Sequence, residues 1–383
     1  MTDETILRGA RIVLADEVID GSVRVVDGRI DRIDEGPSSL GEDLAGDYLL
    51  PGLVELHTDQ VESHFQPRPQ RFWDPIPAVV SHDAQMAASG VTTVFDALRI
   101  GSGPGENRLA SRAATLVGAL VQAADSGILR ADHYVHLRCE VATPDVVDVF
   151  DAIGEHDRVR MVSLMDHTPG QRQYADIEAF RTYMVGKHNM SAAQFDAHVA
   201  ELHELSAAYA DAHRKEMAKR ARERGLRVAA HDDATQAHVD ESSALGVHIS
   251  EFPTTVEAAH AARRAGQLIV MGAPNIVRGG SHSGNVAAVD LLEAGVLDIL
   301  SSDYVPASPL QAVFRLFGEG RVTLPEASAL VSANPARAAG LDDRGVIARG
   351  ARADLVRVAP YDTGAGAPVP IVRGVWREGI RVA

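Results

Sequence analysis

Short apolar runs alternate with longer alanine-rich stretches through the middle of the chain, between residues 49 and 344. The runs are continuously apolar rather than alternating, which is typical of strands buried on both faces of a sheet. Several stretches between them have the spacing of amphipathic helices, over 109–124, 234–245, 256–265 and 286–294. We predict an α/β fold, a (β/α)8 TIM-like barrel with strands at 53–56, 91–98, 134–141, 160–166, 226–231, 247–252, 268–273 and 297–302.

Both ends of the chain have a different pattern, in which apolar and polar residues alternate around glycines. This period of two predicts short strands, so residues 1–48 and 345–383 are expected to form one small β-sandwich domain beside the barrel. A doubly wound sheet is the competing architecture for the middle of the chain. It would place a glycine-rich phosphate loop after its first strand, and none follows His57, so we prefer the barrel.

Residues 168–225 interrupt the regular alternation. A polar loop is followed there by a long charged helix, which we predict over 191–224. Structureless connections of this length are uncommon in compact domains unless they have a function. Because the segment is rich in Arg, Lys, Tyr and His, we expect it to act as a lid or a substrate-binding loop.

The composition is that of a soluble globular protein, with 45% hydrophobic and 23% charged residues. A net charge of −16 argues against nucleic acid as a partner, although basic residues and a metal ion can still attract an anionic substrate. The single cysteine, Cys139, excludes an internal disulfide. No secretory signal or apolar run of about 20 residues is visible, so we expect a cytoplasmic enzyme without a membrane partner. Whether it is a homo-oligomer stays open.

Polar residues, most of them His, Asp or Glu, follow most of the predicted strands. In such barrels the catalytic groups lie at the carboxyl ends of the strands, and residues two apart on a strand share a face. One polar strand end would be ordinary, but a series of them predicts a bound metal. The series is His57, Asp59, Arg138, Glu140, Asp166, His167, His231, Asp232, Asp233, Ser250, Glu251, Ser302 and Asp303.

Imidazole and carboxylate groups together suit a divalent metal, and one cysteine is too few for a thiolate site. We expect zinc, with Mn²⁺ or Fe²⁺ as alternatives, and one or two ions. A metal lowers the pKa of a bound water towards neutrality, so a further carboxylate is needed to accept the proton. Asp303 on the last strand is the expected base, with a helix cap or turn residue as its structural alternative.

A glycine-rich segment, MGAPNIVRGGSHSGN, follows the seventh predicted strand. Gly279 and Gly280 allow the backbone to approach a ligand, and a helix predicted to begin at Val286 would direct its positive end at an anion. We predict a phosphate-like anion site here, with a structural loop as the alternative. Its donors would be Arg278, Ser281, His282, Ser283 and Asn285. Other candidates for substrate contacts are His64, Arg68, Arg172 and Lys187.

The segment LPGLVELHTD between two β-rich termini resembles the amidohydrolase superfamily of metal-dependent hydrolases. The segments HTDQVESH, SHDAQMAASGVTTVFDAL, VSLMDHTPGQRQY, HDDAT, EFPTT, MGAPNIVRGGSHSGN and ILSSDY resemble one family within it. That family is the α-D-ribose 1-methylphosphonate 5-triphosphate diphosphatases of the carbon–phosphorus lyase pathway for phosphonate use. The resemblance covers about residues 49–340 and implies hydrolysis of a small phosphorylated substrate to the 5-phosphate and diphosphate.

The resemblance also implies a set of metal ligands that departs from the superfamily pattern. The usual His-x-His of the first strand is His57-Thr58-Asp59 here, and the carboxylated lysine after strand four is absent. His231 matches the strand-five histidine and Asp303 the strand-eight aspartate, whereas Glu251 stands nearest the missing strand-six histidine. The implied ligands are His57, Asp59, Glu140 as a bridging carboxylate, and His231, with Asp166, His167 and Glu251 in addition.

Two other functions stay open from the sequence. A cyclic-amide hydrolase or a deaminase could use the same strand-end residues, although the basic loops favour a polyanionic substrate. A non-catalytic subunit of a phosphonate-processing assembly would be expected to have apolar residues at the strand ends, where this chain has polar ones.

Overall fold

The computed structural model describes residues 4–102, 112–174, 177–188, 190–281, 284–364 and 366–383. Its centre is a sheet of eight parallel strands in sequential order, which confirms the predicted barrel. Side chains from alternate positions, including Val54, Phe95, Met161 and Ile299, fill the interior. The strands are β6 (Leu53–Thr58), β7 (Val91–Ile100), β8 (Asp132–Glu140), β9 (Val159–Met165), β10 (Arg227–His231), β11 (Ile249–Glu251), β12 (Leu268–Gly272) and β13 (Ile299–Ser301).

The first and last barrel strands meet through few backbone contacts. A single parallel bridge joins Thr58 to Asp303. The buried carboxylate of Glu55 accepts hydrogen bonds from the backbone N–H groups of His57, at 2.8 Å, and Ser302, at 2.7 Å. Burial raises the pKa of Glu55 to about 8. This side chain therefore joins the two strands where the regular ladder is interrupted, directly below the carboxyl ends that we call the barrel mouth.

Helices surround the barrel and bury their apolar faces against its outer surface. The predicted helices over 234–245 and 256–265 are confirmed, and the one over 109–124 is described only from residue 113 onward. The helices are α1 (Gln60–Phe65), α2 (Pro75–Ala88), α3 (Ala113–Asp125), α4 (Val146–Ile153), α5 (Ile177–His188), α6 (Ala192–Leu205), α7 (Asp211–Glu223), α8 (Gln236–Ala244), α9 (Val256–Arg264), α10 (Ala273–Arg278), α11 (Ala288–Glu293), α12 (Ser308–Gly318), α13 (Leu324–Ala329) and α14 (Ala333–Ala339).

The helix that follows the glycine-rich segment begins later than expected. The prediction that it begins at Val286 is wrong, because α11 begins at Ala288. The backbone of Val286 is held outside the helix, donating to Thr254 O at 3.0 Å and accepting from Asn275 Nδ2 at 3.3 Å. With six residues, α11 is also too short to contribute much of a helix dipole at an anion site.

Strands from both termini form a second sheet, separate from the barrel, as the sequence predicts. It is one mixed eight-stranded sheet, in which β5 pairs in parallel with β1 and antiparallel with β14. The chain leaves it at Gly52, where an added Cβ would lie 2.3 Å from Thr92 Oγ1. Its strands are β1 (Glu4–Val13), β2 (Val18–Val26), β3 (Arg29–Glu35), β4 (Glu42–Asp43), β5 (Tyr48–Pro51), β14 (Leu355–Tyr361), β15 (Val369–Arg377) and β16 (Ile380–Arg381).

The insertion between β9 and β10 is helical, and ion pairs attach it to the barrel. A π-helical turn (Ser206–Ala210) joins α6 to α7, so the predicted long helix is present, with its N-cap at Ser191. Most of its charged residues face solvent, but Arg214 is buried and bonds to Asp166 and Glu241. The C-terminal part of the long helix, α7, is therefore attached to the barrel.

Candidate active site

Two imidazoles at the barrel mouth are oriented by one carboxylate. Glu251 accepts a hydrogen bond from His57 Nδ1 at 3.0 Å on one oxygen and from His231 Nδ1 at 3.1 Å on the other. Ser163 Oγ also donates to Glu251, at 2.6 Å. The rings of His57 and His231 stack with centroids 5.5 Å apart and planes 26° apart.

This arrangement fixes the tautomer of both imidazoles. In the neutral ring, donation from Nδ1 to the carboxylate leaves the lone pair on Nε2, which is the form that binds a metal. Burial lowers the pKa of His57 and so keeps its ring neutral. Burial alone would lower the pKa of His231 too, but the charge of Asp232 and the bond to Glu251 raise it. The pair fits a divalent metal, and Glu251 contacts the Nδ1 side of both rings.

A third imidazole at the mouth, that of His167, is oriented in the same way. Glu140 Oε2 accepts from His167 Nδ1 at 2.5 Å and from Arg99 Nη2 at 3.1 Å. The other oxygen, Oε1, accepts from the backbone N–H of His167 at 3.0 Å. Burial opposes ionisation, but the charges and bonds of His167 and Arg99 lower the pKa of Glu140 to about 2. Both oxygens are therefore engaged in holding His167, whose Nε2 lies 4.0 Å from Asp232 Oδ2.

Three residues directly after barrel strands have the left-handed backbone that side chains rarely adopt. They are Asp232 (φ 60°), Phe252 (φ 52°) and Asp303 (φ 53°). Such a conformation costs roughly 1–3 kcal/mol per residue and is often found at functional sites. Bonds from their backbone N–H groups to neighbouring strands hold all three in place. The Phe252 ring packs edge-on against His57 and His231, with centroids 5.1 and 5.2 Å away.

Asp59 and Asp303 lie side by side, because their strands are the two that close the barrel. The N–H of Asp59 donates to Asp303 O at 3.1 Å. Burial raises the pKa of both carboxyls, and the neighbouring charge of Asp59 contributes to the rise of the pKa of Asp303 to about 7. A carboxyl with a pKa near neutrality is suited to accept and release a proton at physiological pH.

Ligand atoms come together in three groups among the described residues. The group of His57, His136 and Glu251 and the group of His167, His231 and Asp232 belong to the site above. His136 has partners on both ring nitrogens, at Leu56 O (2.9 Å) and Ser163 Oγ (2.5 Å). The third group lies outside the barrel interior and is formed by His82, Asp96 and His133.

The third group is a buried network of hydrogen-bonded charges. Asp96 accepts from His82 Nε2 at 2.6 Å and from His133 Nδ1 at 2.7 Å, and His133 Nε2 lies 3.3 Å from Asp83. Burial would lower the pKa of His133, but Asp96 and Asp83 raise it to about 9. Bonds this short correspond to shared protons, since metal ligands lie farther from one another.

Two predicted site residues have other partners. Asp166 accepts from Thr168 on one oxygen and from Arg214 on the other. Arg172 is buried and bonds to Asp233 and to Glu241 Oε2, the latter at 3.1 Å. These contacts attach the base of the insertion to the barrel.

The predicted anion loop is only partly described. Gly279, with φ 83°, ends α10, and the exposed Arg278 beside it reaches Tyr304 Oη at 3.5 Å. Gly280, Ser281 and Asn285 are half-buried. The remaining predicted donors, His282 and Ser283, lie outside the described residues, as does the side chain of Lys187 on α5.

The two candidates after the first strand lie on and after α1. His64 Nε2 bonds to Gln85 Oε1 at 2.8 Å, which ties α1 to α2. Arg68 is exposed in the following loop. Neither lies among the ligand groups described above.

Arg138 lies on the same strand as Glu140, but the sequence pattern assigned it no function of its own. The period of two on β8 places His136, Arg138 and Glu140 on the face towards the barrel interior. Arg138 Nη1 lies 3.8 Å from Asp59 Oδ2, so the guanidinium reaches the centre of the site. Alternation along β8 is the signal that could have identified it.

A closed parallel barrel with imidazoles and carboxylates at its carboxyl end defines the class of metal-dependent barrel hydrolases. The amidohydrolase family model matches residues 84–383. Alpha-D-ribose 1-methylphosphonate 5-triphosphate diphosphatase of Escherichia coli strain K12 is 46% identical over 382 residues, which is 98% of this chain and 100% of that protein. The chain belongs to the amidohydrolase family and is a metal-dependent hydrolase.

Solved structures agree with the fold. N-acetyl-D-glucosamine-6-phosphate deacetylase from Mycobacterium smegmatis matches with a TM-score of 0.63 and 17% identity, covering 100% of both chains. Dihydropyrimidinase from Brevibacillus agri NCHU1002 matches with a TM-score of 0.62 and 14% identity, over 99% of this chain and 95% of the other.

Within the described ranges, no helix has both the length and the apolar character that crossing a membrane requires.

Proposed function

We propose that this protein hydrolyses α-D-ribose 1-methylphosphonate 5-triphosphate to the 5-phosphate and diphosphate. The observation that carries the proposal is the 46% identity to the Escherichia coli diphosphatase over 98% of this chain and 100% of that protein. The site is consistent with it, because carboxylates and imidazoles surround an arginine at the barrel mouth. This combination suits a substrate that is both polyanionic and in need of an activated water.

The metal ligands in this proposal are the Nε2 atoms of His57 and His231 together with the carboxylate of Asp59. His167 and Asp232, whose ligand atoms form a group with His231, could hold a second ion. Glu251 and Glu140 orient the imidazoles from behind. Zinc is the favoured metal, since the donors are nitrogen and oxygen and the only thiol, Cys139, is buried in the outer core. When bound, the metal acidifies a water and polarises a phosphoryl oxygen.

Asp303 is the proposed general base. Its carboxylate takes a proton from the water as the water oxygen bonds to the α-phosphorus. The bond from this phosphorus to the bridging oxygen breaks, and diphosphate leaves with the electron pair. The pKa of about 7 suits this role, because Asp303 can return the proton to solvent or to the leaving group.

The remaining charges of the triphosphate need partners at the rim of the barrel. Arg278 is exposed there, beside Tyr304, and we assign it to the outer phosphates together with Ser281 and Asn285. The N-terminal part of the insertion, which includes Lys187 on α5, is proposed to cover the site as a lid. His64, on α1, and Arg68, in the loop that follows, would lie towards the ribose.

One paired measurement tests the proposal. The metal content of the purified protein is determined, and the release of diphosphate from the ribose triphosphate is compared with its release from ATP. We expect bound zinc and a clear preference for the ribose triphosphate. Equal or faster release from ATP would contradict the substrate, and release of ammonia from cyclic amides or amino-substituted bases would contradict the reaction. A protein that binds no divalent metal would contradict both.

A further inference from the structure

Arg138 is a mostly buried arginine whose guanidinium has few partners. Its side chain is 17% exposed, and its one ion pair among the described residues is the contact of 3.8 Å with Asp59. The Nε atom is buried and has no hydrogen-bond acceptor among the described residues. A buried donor without an acceptor costs free energy, so such an arrangement in a native fold calls for a physical reason.

The other buried arginines of the described chain have more carboxylate partners, although the Nε atom of Arg172 also has no acceptor. Four have side chains no more than 10% exposed, and each forms ion pairs with two carboxylates. They are Arg172, Arg214, Arg344 and Arg352. The fold therefore gives a buried guanidinium two carboxylate partners where its role is structural. Arg138 differs from all four, although several carboxylates are close to it.

The surroundings of Arg138 are the catalytic groups themselves. Burial raises the pKa of Asp59, Glu62 and Asp303, and the positive charge of Arg138 opposes the rise in all three. It also adds to the lowering of the pKa of His57 that burial causes. The guanidinium therefore contacts Asp59 at the end of the first barrel strand, its charge acts on Asp303 after the last one, and its Nε has no acceptor among the described residues.

We propose that Arg138 binds two non-bridging oxygens of the phosphoryl group that is attacked. A planar guanidinium offers parallel N–H donors at the spacing of such oxygens, and its charge balances the negative charge that increases during attack. The assignment of this group as the α-phosphoryl of a triphosphate rests on the proposed function. A neutral ring or amide would leave the donors of Arg138 unsatisfied, so the residue also selects for a phosphoryl substrate.

Binding of inorganic phosphate tests the inference without turnover. Calorimetric titration of the zinc-loaded protein is compared with Arg138→Gln, Arg138→Lys and the control Arg263→Gln, and the zinc content of each is measured. Arg263 pairs with Asp298 on the outer side of the barrel. We expect phosphate affinity to fall about 10- to 100-fold in Arg138→Gln, less in Arg138→Lys, and not in the control. With the ribose triphosphate, kcat should fall about 10²- to 10³-fold.

Rescue by a free cation separates binding from a structural role. Guanidinium chloride at non-denaturing concentration should restore part of the phosphate affinity and turnover of Arg138→Ala, whereas sodium chloride at equal ionic strength should not. Unchanged phosphate affinity in a zinc-loaded Arg138→Gln protein would overturn the inference. If that variant loses zinc, Arg138→Lys decides, and full phosphate affinity there would overturn it. Arg138-dependent phosphate binding in an enzyme that releases no diphosphate would refute the proposed substrate alone.

Discussion

At the scale of single residues, the carboxylates of the site are of two kinds. Some use both oxygens in hydrogen bonds to the protein, and others have few partners and are available to a ligand. Glu251 and Glu140 each use both oxygens to hold imidazoles. Asp59 and Asp303 form fewer bonds and have raised pKa values, with burial as the largest cause. Residue type does not distinguish the two pairs, since all four are acidic residues at strand ends. Their hydrogen-bond partners do.

Replacing Asp303 by Asn tests the proposed base. The amide cannot accept the proton, so turnover should fall about 10²- to 10⁴-fold. Binding of inorganic phosphate should remain. The measurement is kcat for diphosphate release, with Asp342→Asn on the exposed surface as a control. Turnover within a few-fold of the wild-type value would remove Asp303 from the mechanism.

Replacing Glu251 by Gln tests the orienting role. A neutral amide accepts the imidazole N–H groups more weakly and no longer fixes both tautomers. Zinc affinity, measured by competition with a chelator, should fall about 10- to 100-fold. Glu257→Gln, at an exposed position six residues further on, should bind zinc like the wild-type protein. Equal affinities of the two variants would contradict this role.

At the scale of elements, helix α2 is attached to β7 and β8 by buried charges rather than by apolar contact alone. His82 and Asp83 on α2 face Asp96 and His133 on the two strands. His133 interacts with two carboxylates, so its protonated form is the stable one. The same two strands carry Arg99, Arg138 and Glu140 into the site. Charge in this network therefore supports the strands that form the catalytic face.

The network makes stability depend on pH in a definite direction. The pKa of His133 is about 9 in the folded protein, above its ordinary value of 6.5. Its contribution is complete below about pH 6.5 and disappears as the pH rises through about 9. The lowered pKa of Asp96 gives the opposite limit, because its contribution is lost as acid protonates it. The network is strongest between these limits.

Substitution of His133 by Gln measures this contribution. Near pH 6 it should destabilise the metal-free protein by about 3 kcal/mol, since two buried carboxylates lose a charged partner. Near pH 9.5 the difference from wild type should be much smaller. Urea unfolding at both pH values is the measurement, with the exposed His156→Gln as a control. A difference independent of pH would show that His133 is neutral.

At the scale of the whole molecule, the terminal sheet and the barrel are joined by both apolar and ionic contacts. One core cluster contains Leu53 and Leu300 of the barrel and Val356 and Val375 of the terminal sheet. Asp132, the first residue of β8, forms ion pairs with three arginines from the C-terminal segment, Arg344, Arg352 and Arg377. The two sheets are therefore expected to unfold together.

Asp132→Asn tests the ionic part of this contact. It leaves two mostly buried guanidinium groups without one of their carboxylates and should destabilise the protein by about 3–5 kcal/mol. The thermal midpoint is measured together with kcat, which should be unchanged for the folded protein because Asp132 lies at the opposite end of β8 from the site. Asp125→Asn, which breaks an exposed pair with Arg158, should cost less than about 1 kcal/mol. Equal shifts of the midpoint in the two variants would contradict the argument.

The sequence by itself determined the barrel, the terminal sheet and the strand ends at which polar residues gather. It could do so because side-chain periodicity and burial are local properties that each strand carries in its own residues. His57, His231 and Asp303 could be placed at one mouth for this reason. The helix boundary at Ala288 could not be predicted in this way. It depends on the hydrogen bonds that Val286 and Ala288 form with Thr254 and Asn275.

Only the tertiary structure decided which acidic groups orient and which remain available. His57 and Glu251 are 194 residues apart in sequence, and their contact depends on the order in which eight strands close. Arg172 and Asp166 looked like site residues because they are polar and near strand ends, yet the insertion engages both. Arg138 acquired a role only when the partners of the other buried arginines were known. A residue type specifies what a side chain can do, and its neighbours in space determine which of those things it does.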